Sequence, residues 1–245
     1  MIRIDPLSLE ILTQEAFPPL ETARLGDWRL TASLGQAVRI NSCWPLGAAD
    51  RALPEAVGAV EAWYAARNLP SQFKAAEGVA PADLEPLLAA RGYRMTAETL
   101  VMVGPITAQA DPEVSLELAP DDRFLAVFTA AGGDAADAAE RVAALGRMPQ
   151  PAIFGRLDVD GDPAAIGACV VQGEWAGIYA MRTDARLRRR GLARRLAGAL
   201  LAAAEGLGAR RSYLQVDADN APAIGLYASS GFAPAYLYRC WRGAA

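Results

Sequence analysis

The run Arg188-Arg189-Arg190-Gly191-Leu192-Ala193 constrains this chain more than any other stretch. Residues 176–183 before it read as a strand. After it Leu192, Leu196, Leu200 and Ala203 recur at a helical period among alanines of high helix propensity, until Gly206 and Gly208 stop the pattern. The order is strand, basic loop, helix. Such a loop brings unpaired backbone N–H groups and the positive end of a helix dipole to one place, which suits a diphosphate. Gly191 lets a ligand come close to the backbone. The formal net charge is −4, so the six arginines of residues 186–195 are a local feature on an acidic background. A small anion is the partner this implies, not nucleic acid or an anionic membrane.

A second block lies downstream. Ser212-Tyr213-Leu214-Gln215-Val216 reads as a short strand, Asn220 opens a helix, Tyr227 falls about two turns along it, and Ser230-Gly231-Phe232 closes it. The Arg-x-x-Gly-x-Ala loop and this block, at this separation, resemble the acetyl-CoA loop and the downstream signature of the GCN5-related N-acetyltransferases (GNAT). Motifs carry the resemblance over residues 112–242, and element order alone carries it over residues 27–104. It implies an α/β (α+β) fold, a mixed central sheet flanked by helices, and an acetyl-CoA-dependent N-acetyltransferase that releases CoA and needs no metal.

The resemblance also implies roles. Backbone groups of Met181 and Thr183 would pair with the pantetheine arm. The amides of Arg189, Arg190, Gly191, Leu192, Ala193 and Arg194 would hold the diphosphate, with Arg188, Arg189 and Arg194 in reach of it or of the 3′-phosphate. Asn220 would cap its helix and could also bond the arm. Tyr227 would protonate the departing thiolate, a phenol near 10 standing only modestly above a thiol. For the general base, Glu174 before the fourth strand and Asp217 after the fifth are the candidates, directly or through water. Two other readings stay open: a non-catalytic acyl-CoA-binding regulatory module, which would not need Tyr227, and an aminoacyl-tRNA-dependent transferase, which the acidic balance disfavours.

The 245 residues are enough for one large domain or two ordinary ones. There is no histidine, which removes Ser-His and Cys-His pairs, His-based zinc sites and His bases together. Cys43, Cys169 and Cys240 stand apart and read as core residues. No apolar run is long enough to span a bilayer and residues 1–6 lack the apolar core of a signal peptide, so a cytoplasmic protein is expected.

Earlier in the chain, residues 9–23 read as a helical or irregular lead-in. Residues 27–33 and 37–42 read as a hairpin around Gly35, 54–65 as a helix, 72–75 as a strand, 81–90 as a helix and 98–103 as a strand. This order repeats that of the C-terminal half, and Leu87-Leu88-Ala89-Ala90-Arg91-Gly92-Tyr93 matches Leu226-Tyr227-Ala228-Ser229-Ser230-Gly231-Phe232. A duplication is expected, with a degenerate domain at 1–110, a polar linker at 105–112 and a coenzyme-binding catalytic domain at 111–245. The first copy lacks the arginine loop and would wall a site for a small-molecule or peptide amine. The chain would act as a monomer that is an internal pseudo-dimer, or as a homodimer.

Overall fold

The computed structural model describes residues 5–35, 37–130 and 135–243; residues 1–4 lie outside them, as do Ala131 and Asp134, end residues of the two helices that the sequence pattern suggests over 121–131 and 134–145. The chain divides into two compact units. One is Met1–Leu100 with Asp217–Asp219 and Ala235–Ala245, the other Val101–Val216 with Asn220–Pro234.

The first unit opens with α1 (Pro6–Glu15), whose N-terminus is capped by the Asp5 carboxylate accepting from the N–H groups of Leu7 and Ser8. β1 (Glu21–Leu25) and β2 (Trp28–Ala32) then form an antiparallel hairpin with Leu25 opposite Trp28, so the turn is Gly26-Asp27. The hairpin expected around Gly35 also forms, β2 pairing antiparallel with residues 43–45, but its second strand lies there and not at 37–42. Residues 38–40 form a 3-10 turn, and the Asn41 side chain closes the loop by accepting from the N–H of Ser33 and Gly35 and donating to the Ala37 carbonyl. Those side-chain bonds replace the strand ladder that alternation in the sequence suggested.

Next come β3 (Cys43–Pro45), α2 (Leu53–Ala65), β4 (Gln72–Ala76), α3 (Leu84–Ala90) and β5 (Arg94–Pro105). β3 lies parallel to β4, with Cys43 opposite Phe73. Alternation along β4 sends Phe73 and Ala75 into a core with Val57, Val60 and Tyr64 of α2 and Leu84 and Leu88 of α3. The intervening Lys74 is fully buried, ion-paired to Glu10 of α1, with its ammonium 4.0 Å from the Trp44 ring centroid and 3.8 Å from that of Tyr238. The Tyr236 hydroxyl donates to the second Glu10 oxygen at 2.8 Å. Burial pulls the Lys74 ammonium below its ordinary value and Glu10 opposes that pull.

The second unit contains β6 (Val114–Glu117), α4 (Asp122–Thr129), α5 (Ala135–Leu145), β7 (Ala152–Val159), β8 (Asp162–Gln172) and β9 (Trp175–Thr183). They are followed by α6 (Leu192–Gly206), β10 (Arg211–Asp217), α7 (Ala221–Ala228) and β11 (Ala233–Arg242). β6 to β9 are antiparallel neighbours and β10 lies parallel to β9. Paired Gly155 and Gly167 let α6 settle on the sheet: a Cβ at Gly155 would stand 2.9 Å from Leu196, and one at Gly167 3.1 Å from Leu200.

Each half thus reads strand-strand-strand-helix-strand-helix-strand, β1 to β5 in one and β7 to β11 in the other, with the parallel pair at the same place. The final strands do not stay with their own halves. β11 runs antiparallel to β4, with Tyr238 opposite Ala76 and Cys240 opposite Lys74, and its residues from Ala235 count with the first unit. The end of β5, from Val101, counts with the second, where the Ser212 hydroxyl donates to the Gly104 and Pro105 carbonyls. All three cysteines are buried and free; burial pushes the Cys169 thiol up to about 12 and Cys240 up to about 11. Among the described residues no helix is long and apolar enough to cross a membrane, and no group of three potential metal ligands occurs.

Candidate active site

The loop that dominates the sequence joins β9 to α6. Arg188 is extended, Arg189 has φ 62° and Gly191 has φ 80°, so the chain reverses twice before the helix starts. Gly191 is the N-cap of α6, without a side-chain cap and without an acidic residue in the first turn. A left-handed N-cap turns the first N–H groups of α6 outward, and the space above Gly191 is open: a Cβ there would meet nothing within 4 Å. This is a cradle whose chemistry fits the diphosphate of a coenzyme.

The six arginines divide sharply. Arg186 is bound to Asp184, whose carboxyl it holds down to about 2. Arg195 is bound to Asp111 and Glu113, and Arg194 donates to the Ser229 hydroxyl at 2.8 Å, tying α6 to the end of α7. Arg188, Arg189 and Arg190 are exposed. Arg189 and Arg190 have no ion pair among the described residues, and they remain the cations available to an anion on the loop. The segment expected to be a linker is fastened here, with the Gln109 N–H donating to the Gly198 carbonyl and Thr107 to the Ser230 carbonyl. Beside the loop lies an open groove of about 470 Å³ walled by Glu113, Asp158, Asp160, Arg190 and Arg195. Its three carboxylates make it a poor seat for a phosphate, so an anion is directed to the amides instead.

Behind the loop, β9 and β10 part. Their parallel register runs from Trp175 opposite Arg211 to Leu214 opposite Ile178, while β9 continues to Thr183 against β8. The backbone of β9 beyond Ile178 therefore has β8 on one side only. A bulge falls in this free stretch: Ile166 pairs with Arg182 and Ala168 with Tyr179, so Gly167 faces both Ala180 and Met181, and Ala180 takes φ 53°. A non-glycine residue held at that φ is strained and re-aims the N–H groups beside it. Sequence reasoning placed Met181 and Thr183 on this strand but missed the bulge, which has no signature at alanine.

Tyr227 lies on α7, its ring edge-on to Phe232 at 5.9 Å. Burial pushes its phenol up to about 12, and its hydroxyl takes no hydrogen bond among the described residues. Phe232 is itself seated on Gly104, where a Cβ would stand 2.8 Å from the ring. Asn220 is the N-cap of α7, its side-chain oxygen accepting from the Ala223 N–H at 3.2 Å. It is exposed and Tyr227 is buried, so the shared helix face expected from their spacing runs from solvent into the fold.

The two candidate bases are not together. Glu174 is exposed in the turn before β9, where its carbonyl accepts from the N–H groups of Arg210 and Arg211. Asp217 is exposed at the far end of β10, six residues beyond Arg211, or about 20 Å at 3.3 Å per residue. One amine cannot use both. The structure also shows a pair the sequence did not suggest, the hydroxyls of Tyr179 and Tyr213 at 2.7 Å, with Tyr213 donating to Gln172 and packed over Gly177.

A sheet parted beside a bulge, with a helix start at its open end, defines a GCN5-related acetyltransferase fold, and known structures agree. A GCN5-related N-acetyltransferase from Kribbella flavida superposes with a TM-score of 0.72 at 14% identity, covering 98% of this chain and 95% of that one. A GNAT-family acetyltransferase from Novosphingobium aromaticivorans matches with a TM-score of 0.60 at 20% identity over 95% and 96% of the two chains. A tandem GNAT protein from the clavulanic acid biosynthesis pathway matches with a TM-score of 0.60 at 15% identity over 96% and 87%. Among curated proteins the sequence finds no match. The family model described as "Probable histone acetyltransferase Rv0428c C-terminal" matches residues 5–241, and the chain belongs to that family. That family is described as one of acetyltransferases, and the fold is the one shared by the GCN5-related N-acetyltransferases.

Proposed function

We propose that the protein is an acetyl-CoA-dependent N-acetyltransferase that moves an acetyl group to a primary amine by direct attack, with one coenzyme held by the second unit. The observation that supports it most is the continuity of three features on one strand. These are the bulge at Ala180, the unpaired stretch to Thr183, and the doubly reversed loop ending in Gly191 at the start of α6.

In this reading acetyl-CoA supplies a thioester whose carbonyl carbon takes the amine as its thiolate leaves. The amides of residues 189–193 hold the diphosphate, assisted by Arg189 and Arg190, while the Arg194 N–H already donates to the Gly191 carbonyl. Backbone groups of Met181 and Thr183 hold the arm in the parted strands, as an added strand is held at a sheet edge. The N–H groups re-aimed by the bulge hold the carbonyl oxygen as charge develops on it. Tyr227 donates to the departing sulfur. With its phenol at about 12 and a free thiol near 8.5, complete transfer is uphill, so its service is a hydrogen bond that strengthens as the sulfur gains charge. A carboxylate, Glu174 or Asp217, takes the proton of the amine, directly or through water.

Calorimetry with acetyl-CoA, with mass spectrometry of whatever coenzyme co-purifies, tests this reading. One molecule per chain is the expected result; none, or two, would overturn it.

A further inference from the structure

In the reading above the acceptor approaches from the side of the sheet away from α6, and that side carries a cation with no ion pair among the described residues. Along β9 the side chains after the bulge point to opposite faces. Met181 points to the face of Gly167, Leu196 and Leu200, under α6. Arg182 points to the other face, where its guanidinium lies 4.7 Å from the centroid of Phe128 on α4. The groups around it are Arg141 and Asp137 of α5, and these are paired with each other at 2.9 Å. Among the described residues these two guanidiniums share the one carboxylate that acts on Arg182, and Arg182 has no ion pair there. It is only partly exposed, and both desolvation and Arg141 press against its charge. A half-buried cation in that position is held at a cost that a bound anion would remove.

We infer that Arg182, backed by Arg141, binds a carboxylate on the acceptor, so that the amine acetylated belongs to an acidic molecule such as an amino acid or an acidic peptide end. The inference rests on the acetyltransferase reading above. Arg182 lies two residues from Ala180, or about 7 Å along the strand, which suits an amine and a carboxylate a few bonds apart. A lysine-rich tail would bring positive charge to a surplus of positive charge, so a basic peptide is the acceptor this face disfavours.

Two measurements on the full chain test it. In a thiol-release assay, β-alanine and γ-aminobutyrate are compared with their amides and with a lysine-rich peptide. In calorimetry with CoA present, N-acetyl-β-alanine is compared with its amide. The acids should exceed the amides by about tenfold or more in kcat/KM and in affinity, as for one charged contact. Arg182→Gln should erase that preference, while the amides and the coenzyme Kd change less than about twofold, and Arg182→Lys should restore part of it. Equal or absent binding of acid and amide, a preference for the basic peptide, or an acid preference that survives Arg182→Gln would each overturn the inference. If the coenzyme binds and any amine is acetylated without acid preference, this inference fails alone; if the coenzyme does not bind, the proposed function fails with it.

Discussion

The starts of α2 and α6 occupy the same place in the repeated element order, after the third strand of each half, and they are chemically opposite. α6 begins at left-handed Gly191, has no acid in its first turn, and is preceded by arginines free to meet a ligand. α2 begins at Ala52 with a proline in its first turn, which removes one N–H, and with Glu55 in that turn, a carboxylate where a phosphate would need none. Of the arginines near it, Arg51 is spent on Asp50, and Arg91 on Glu61 and the Pro54 carbonyl. The element order recurs in both halves while an open, acid-free helix start occurs in one, because the frame rests on many buried apolar contacts and such a helix start on a handful of exposed residues. The faces below differ as well: Lys74 and Glu10 fill the first unit with a buried ion pair.

The largest effect should come from the loop. Gly191→Asp forces a side chain to φ 80° and adds a negative charge at the cradle. Loss of even two charge-assisted hydrogen bonds, at about 1.5 kcal/mol each, lowers coenzyme affinity by roughly a hundredfold. Ala52→Asp, at the corresponding helix start of the first unit, should leave calorimetric coenzyme binding unchanged. A loss of binding from the second variant, in a folded protein, would end the contrast drawn here.

Glu10→Gln should sharpen the contrast from the other side. It leaves a buried ammonium without its partner, which costs about 3 kcal/mol or more. Denaturant unfolding should record that loss, while the coenzyme Kd of the folded protein stays the same.

Tyr227→Phe should lower kcat by roughly a hundredfold, the range of a lost acid, without weakening coenzyme binding. Because burial raises the phenol to about 12, its proton is present at every pH below that. No fall in rate between pH 8 and pH 10 should trace to Tyr227, and a pH profile in which the Phe variant loses such a limb would count against the assignment. A kcat within about threefold of the parent would leave the ring as a packing residue against Phe232.

Smallest are Arg189→Gln and Arg190→Gln. Each removes one exposed cation worth about 0.2–1 kcal/mol, so each should weaken coenzyme binding by roughly two- to fivefold, and by less at high salt.

The sequence carried the loop, the helix after it and the Asn220 cap almost to the residue, since glycine, proline, capping side chains and helical periodicity act within a few positions. It misread residues 37–42, because the bonds that shape them come from the Asn41 side chain and not from alternation. It could not divide the arginines. Arg186 finds its partner two residues away, but Arg195 meets Asp111 only when a distant segment is laid along α6.

By itself, then, the sequence determined most of the element order of the second half, the glycine-bearing basic loop at residues 188–194 and the lack of such a loop in the first half, all of which are local chemistry. The tertiary structure alone decided that β9 and β10 part beyond Ile178 and that Ala180 carries the bulge. It alone sent Arg182 to the face opposite Met181 and placed Glu174 and Asp217 at opposite ends of two parallel strands. Those are matters of register and pairing between strands far apart in the chain, and register is fixed by the whole sheet, not by any one stretch of it.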